Sequence, residues 1–199
     1  MSIAKTRQTL LEVARELFAR KGLEATTMND IAQASQRGRR TLYTYFRNKE
    51  EIYYAVIENE LERLSEKMDK VAAMDIEPEE KVLTLIYTHL QVIKETVARN
   101  GNLRAEFFRN IWKVEQVRKA FDREEQDIIS RVLREGVERH KFNIDNIGLM
   151  TDIIHYVMKG LEVPYIYDRL GHGLTEEESI PMVMRVIRGA LGYPAAETK

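Results

Sequence analysis

The apolar residues of this chain recur at intervals of three and four and nowhere alternate, which commits it to packed helices. Leu10, Val13, Ala14, Leu17 and Phe18 share one helical face. Gly22 supplies a left-handed stop, so the first helix should end at about Lys21, with Leu23 folding back on Phe18 as in a Schellman end. Thr27, with Asp30 three residues on, caps a short second helix carrying Ile31, Ala32 and Ala34. The polar stretch Ser35-Gln36-Arg37-Gly38 interrupts it. A third helix follows over Arg39 to Phe46, with Leu42 and Phe46 turned inward. Two short helices joined by a tight turn behind a longer one form a helix-turn-helix layout.

Asn48 and Glu51 open a fourth helix, long and lever-like, with Ile52, Val56, Leu64, Met68 and Val71 at helical spacing. Asp75, Ile76, Glu77 and Pro78 break it. Helices are then expected over about 79–100, 103–112, 114–140, 145–169 and 176–191, with turns at Asn100-Gly101-Asn102 and Gly171-His172-Gly173. Thr175 and Ser179 both offer a cap for the last helix, whose start Pro181 blurs.

Charge is distributed unevenly. Residues 1–50 hold ten Lys and Arg against five Asp and Glu, whereas residues 51–199 hold twenty-one against twenty-seven. A basic quarter on an acidic body points to a local polyanion-binding patch. No cysteine is present, which excludes disulfides, thiolate metal sites and a cysteine nucleophile, and fits a reducing cytoplasm. Glu12, Arg15, Glu16 and Arg20 rule out a signal-peptide core, and no apolar run is long enough to span a bilayer. No glycine-rich phosphate loop or Gly-x-Ser-x-Gly turn occurs. His89, His140, His155 and His172 lack metal-ligand spacing. The reading is a non-enzyme without cofactor or metal.

Chemistry concentrates on the third helix. Arg39, Arg40, Tyr43 and Thr44 lie at its N-terminal end and outer side, the end from which a recognition helix reads base edges. Arginine pairs bidentately with guanine, while Tyr and Thr contact phosphate or a thymine methyl. Lys49 and Thr27 stand at helix starts suited to phosphate.

The run Thr26-Thr27-Met28-Asn29-Asp30-Ile31-Ala32, then Thr41-Leu42-Tyr43-Thr44-Tyr45-Phe46-Arg47-Asn48-Lys49, resembles the DNA-binding domain of TetR-family regulators over about residues 5–56. The resemblance implies an N-terminal three-helix DNA-binding domain, residues 1–50, and a helical ligand-binding and dimerisation domain, residues 51–193, before a loose tail at 194–199. It implies repression from a palindromic operator in double-stranded DNA, relieved by a small-molecule effector. By position, Thr27, Arg37, Arg39, Arg40, Thr41, Tyr43, Thr44, Tyr45 and Lys49 become the DNA-binding set. One departure stands out: the family commonly has Gly-Val-Ser in the turn, where this chain has Gln36-Arg37-Gly38.

In the body, Ile147, Met150, Ile154, Met158 and Leu161 make one apolar stripe, and Leu149, Ile153, Tyr156 and Gly160 a second. A helix apolar on two faces requires two partners. With Ile180, Val183, Met184, Ile187 and Leu191 on the last helix, this suggests a homodimer through Ile154, Met158, Leu161, Ile180, Val183, Met184 and Ile187. The alternative is that both stripes are internal core. Tyr87, His89, Phe107, Phe108, Trp112, His155 and Tyr156 are the expected lining of an effector pocket. A DNA-binding protein without small-molecule control, architectural or partner-regulated, is the competing reading.

Overall fold

A computed structural model describes residues 3–101, 111–172 and 174–192, with side chains at all of these except 111–116 and 172. Among the described residues are eight α-helices and no strand: α1 Ile3–Lys21, α2 Met28–Ala34, α3 Arg39–Tyr45, α4 Lys49–Ala72, α5 Pro78–Asn100, α6 Ile111–Glu138, α7 Ile147–Ile166 and α8 Glu176–Ala190. The all-helical class read from periodicity is the class the chain adopts.

Local chemistry sets most boundaries. Gly22 has φ 85° and donates its N–H to the Phe18 carbonyl at 2.8 Å, a single-bond left-handed end in place of the Schellman pair. Thr27 accepts from the Asp30 N–H at 3.1 Å and donates its own N–H back to Asp30 at 2.9 Å, completing the capping box. Of the two caps offered to α8, Thr175 takes the role with Glu178, and Pro181 lies inside the helix. The break expected between Trp112 and Val114 is absent, because α6 runs unbroken from Ile111. Most of the helix expected over 103–112, and the tail 194–199, lie outside the described residues.

The chain divides into two compact units, Met1–Arg63 with Glu95–Phe121, and Leu64–Lys94 with Asp122–Lys199. Helices α4, α5 and α6 each contribute to both, so α4 is not the single connection suggested by the sequence. In the first unit, Leu10, Ala14, Phe18, Ile31, Leu42 and Ile52 are fully buried in one apolar cluster. Burying a side chain of this kind is worth about 1.5–3 kcal/mol. The end of α5 is fixed within the same unit. Buried Arg15 donates through Nη1 to the Arg99 carbonyl at 3.2 Å, and the Arg99 guanidinium pairs with Glu60 of α4. Gly101 lies so near Ala19 that a Cβ would stand 3.0 Å from its carbonyl oxygen.

The second unit packs α4, α5, α6, α7 and α8 residues around Met68, Leu85, Ile129, Leu133 and Met158. Gly136 lies inside α6, where a Cβ would stand 2.0 Å from the Phe142 ring. No helix among the described residues is long and apolar enough to cross a membrane.

Candidate nucleic-acid interface

Helix α3 is anchored on one side and open on the other. Leu42 and Phe46 are buried, and the Arg7 guanidinium lies 5.4 Å from the Phe46 ring centroid. Arg39, Arg40, Tyr43 and Thr44 are exposed. Arg39 with Tyr43, and Arg40 with Thr44, stand four apart and so form two adjacent rows on the outer face. The Thr44 hydroxyl donates to the Arg40 carbonyl at 2.9 Å, leaving its oxygen as acceptor and its methyl free for apolar contact. Thr41 is half-buried, and Tyr45 is half-buried against the apolar cluster, so these two reach the surface only in part.

Thr27 is exposed, with its oxygen and its N–H both engaged by Asp30. The backbone N–H of Thr27, followed by its hydroxyl, holds the Asp30 carboxyl below the usual range. Lys49 differs from its predicted phosphate role. Its ammonium donates to the Leu23 carbonyl at 2.9 Å and the Glu24 carbonyl at 3.1 Å, and sits 3.7 Å from the Glu24 carboxylate. Two donors meet backbone carbonyls and the Glu24 carboxylate adds an ion pair, so Lys49 pins the loop between α1 and α2. The Asn48 pair forms as read: Asn48 accepts from the Glu51 N–H at 2.8 Å, and Glu51 accepts from the Arg47 N–H at 2.6 Å.

The turn before α3 has a definite geometry. The Gln36 N–H donates to the Gln33 carbonyl at 3.0 Å and the Arg37 N–H to the Ala32 carbonyl at 3.0 Å. That bond pair is a Schellman end with Gln36 in the left-handed position, at φ 53°. Gly38 is the N-cap of α3 at φ −62° and ψ 145°, ordinary extended backbone, with no side-chain cap bond. A Cβ there would meet nothing nearer than the Thr41 hydroxyl oxygen at 3.9 Å. The glycine therefore sits where a capping serine would fit, and a side chain sits where glycine is favoured. The motif match did not include Gln36; the left-handed position is its only mark, and the sequence does not display it.

The family model for bacterial regulatory proteins of the tetR family matches residues 10–56, the stretch that builds this face. The chain carries the helix-turn-helix module of the tetR family over residues 10–56, which supports a DNA-binding transcriptional regulator. It is 28% identical over 145 residues to the uncharacterised HTH-type transcriptional regulator YfiR of Bacillus subtilis, covering 69% of this chain and 68% of that protein. With the HTH-type transcriptional regulator QacR of Staphylococcus aureus it shares 23% over 155 residues, 76% of this chain and 81% of QacR. A TetR/AcrR-family regulator from Thermobifida fusca YX-ER1 has the same fold, with a TM-score of 0.70 at 23% identity over 96% of this chain and 100% of that one.

In the body, the described members of the predicted pocket set differ in their surroundings. Phe107 and Phe108, and the Trp112 side chain, lie outside the described residues. Tyr156 is 65% exposed, on the opposite side of α7 from the core, with its ring 5.1 Å from that of His155. His89 and His155 are buried, each donating from Nδ1 to Glu125, at 2.5 Å and 2.6 Å. His89 Nε2 faces Glu162 at 3.1 Å, and Lys159 holds Asp122 at 2.9 Å. Burial opposes a charge on His89, but the two carboxylates outweigh it and hold its pKa up at about 9. Burial likewise opposes the Glu125 charge, yet the two imidazoles hold its pKa down at about 2. Tyr87 borders a groove, about 330 Å³ in volume, with Thr84, Thr88, Gln91 and Ile180. Its hydroxyl is hydrogen-bonded to Ser179 at 2.6 Å.

The predicted dimer residues need a similar correction. Met158 and Ile187 are core, and Ile154, Leu161 and Val183 pack against that core. Ile180 and Met184 are half-buried. The second stripe is the open one: Leu149, Ile153, Tyr156, Val157 and Val163 on α7, with Met182 and Val186 on α8, are exposed. Periodicity found both stripes but could not tell which faced inward.

Proposed function

We propose that this regulator is a repressor that sits on a palindromic operator as a homodimer and is released by a small-molecule effector. The observation that carries the reading is the outer face of α3, where two exposed arginines, a tyrosine and a threonine surround an anchored helix. Residues 1–50 act as the DNA-binding domain and 51–193 as the effector and dimerisation domain. Arg39 and Arg40 read base edges; Thr27, Arg37, Tyr43 and Thr44 position the backbone; Thr41 and Tyr45 contribute at the rim. Lys49 serves by holding the α1–α2 loop.

Dimerisation uses the exposed stripe of α7 and α8. Gly160 and Gly189 have open space where a Cβ would be, which lets two copies of these helices approach closely. The groove bordered by Tyr87 supports small-molecule control: its volume is in the range of ligand pockets, with hydroxyls along one wall and Leu83, Val92 and Ile180 as apolar surface. On a palindrome the two copies of α3 must lie about 34–36 Å apart, or a multiple of that. An effector that favours another spacing releases DNA, with a coupling of about 1–3 kcal/mol, and the operator must weaken effector binding by the same factor.

Binding-site selection from random duplexes, followed by titration in salt, tests the reading. A palindromic site and an affinity falling steeply with salt are expected. Absence of binding at low salt overturns it. For the dimer, Val157→Asp or Val186→Asp should yield folded monomers in sedimentation, whereas Met158→Asp should unfold the body. Dimers that survive both surface changes overturn this interface.

A further inference from the structure

We propose that Gln36 is a base-reading residue, so that DNA recognition starts in the turn and not at the first residue of α3. The inference rests on the DNA-binding reading of this face. Two successive positions carry residues that the turn itself does not favour, and a glycine follows them. The left-handed C′ position favours glycine and then asparagine, yet holds Gln36 at φ 53°. The next position commonly places an apolar side chain back on the helix, yet holds Arg37. The N-cap, where glycine ranks with threonine just behind Ser, Asp and Asn, is Gly38 in a conformation any residue adopts.

Left-handed backbone alone does not single this turn out, since His140 and Asp168 have φ 55° and 52° at the ends of α6 and α7. Histidine and aspartate, however, are among the types that enter this region readily, and glutamine is not. Neither of those ends leads into a helix whose N-cap is glycine. Local rules broken together, at one place, mark a position kept for function.

The chemistry fits a reader. Gln36 is exposed and carries a donor and an acceptor side by side, the pattern that matches adenine N7 and N6 in the major groove. Arg37, Arg39 and Arg40 around it are cations suited to phosphate or guanine. Gly38, without a Cβ, leaves the backbone between Gln36 and α3 open to close approach by the duplex.

Selection from random duplex DNA with the full-length protein tests this, using wild type, Gln36→Ala and Gln36→Gly. The glycine variant suits the left-handed backbone, so a loss there is not a folding defect. Wild type should prefer adenine at one position of each half-site. Both variants should lose that preference by about 5- to 150-fold, with other positions and the salt slope unchanged, because no charge is removed. If Gln36→Gly keeps the wild-type preference everywhere, or weakens all sequences alike, the inference fails while DNA binding stands. If wild type selects no sequence, the DNA-binding reading falls and this inference with it.

Discussion

The N-terminal helices and the body differ in the polar groups they bury. Over residues 3–57 the buried side chains are mainly hydrocarbon, with Thr6, Arg15, Thr26 and Ser35 the polar exceptions. In the second unit a hydrogen-bonded chain of His89, Glu125 and His155 lies inside, 1%, 7% and 1% exposed. An apolar interior tolerates loss by partial collapse, whereas a buried polar chain fails when one member leaves a partner's polar group unsatisfied. The first unit is thus built as a rigid mount for an outward charge pattern. The second holds a polar assembly whose integrity depends on every member.

The sharpest break of this contrast is Glu125→Ala. It removes the shared acceptor of two buried imidazoles and should cost about 3–5 kcal/mol in urea denaturation. Replacing His89, Glu125 and His155 together by apolar residues of similar volume should recover part of that loss, because the three buried polar groups leave together while Glu162 loses its His89 contact. If the triple variant is as unstable as the single one, the chain is not an ion network in energetic terms, and the contrast collapses.

Next in size is pH. His89 is raised from 6.5 to about 9, so its stabilisation is complete below about 6.5 and is lost as pH rises through about 9. The shift corresponds to about 3 kcal/mol. Glu125, lowered from 4.5 to about 2, works with the opposite sign: its contribution is present above about 4.5 and is lost as pH falls toward 2. Both shifts express the same contact, so they are not summed. Melting followed across pH should show a plateau between about 4.5 and 6.5 and an alkaline decline that His89→Leu abolishes. An alkaline decline of the same size in His89→Leu would assign it elsewhere.

Packing supplies a third, smaller effect. Gly136→Ala would press a methyl into the Phe142 ring and should cost about 1–3 kcal/mol, as overpacking does. Phe142→Leu in the same background should return part of it. A neutral Gly136→Ala would mean that the Phe142 ring moves aside freely.

The two regions also differed in how far the sequence disclosed them. Helix boundaries near Lys21, Thr27 and Asn48 were legible because caps and stops act over three or four residues, and the outer face of α3 followed from Leu42 and Phe46 pointing inward. Lys49 was legible in place but not in partner, since its carbonyl acceptors at Leu23 and Glu24 belong to a loop some 25 residues earlier. The His89–Glu125–His155 chain left no trace, because its members lie 36 and 30 residues apart on three different helices. On α7, two apolar stripes carry equal hydrophobic signal, and only packing decided that Met158 faces in and Tyr156 faces out.

The smallest effect probes the turn that joins the apolar mount to its charged face. A non-glycine residue in the left-handed region costs about 1–2 kcal/mol, and glycine gives back part of that gain through the greater freedom of its unfolded chain. Gln36→Gly should therefore stabilise the protein by about 0.5–1 kcal/mol, a rise of a few degrees at most in the melting temperature of a chain this size. Adding Gly38→Ser should contribute a few tenths more by capping α3. The same glycine change at Asp168 should gain less, since aspartate already tolerates that backbone. If Gln36→Gly lowers the melting temperature instead, contacts of the glutamine side chain within the protein outweigh the strain. Its conformation would then be a packing requirement of the turn, and the N-terminal region would owe its stability to more than the hydrocarbon beneath α3.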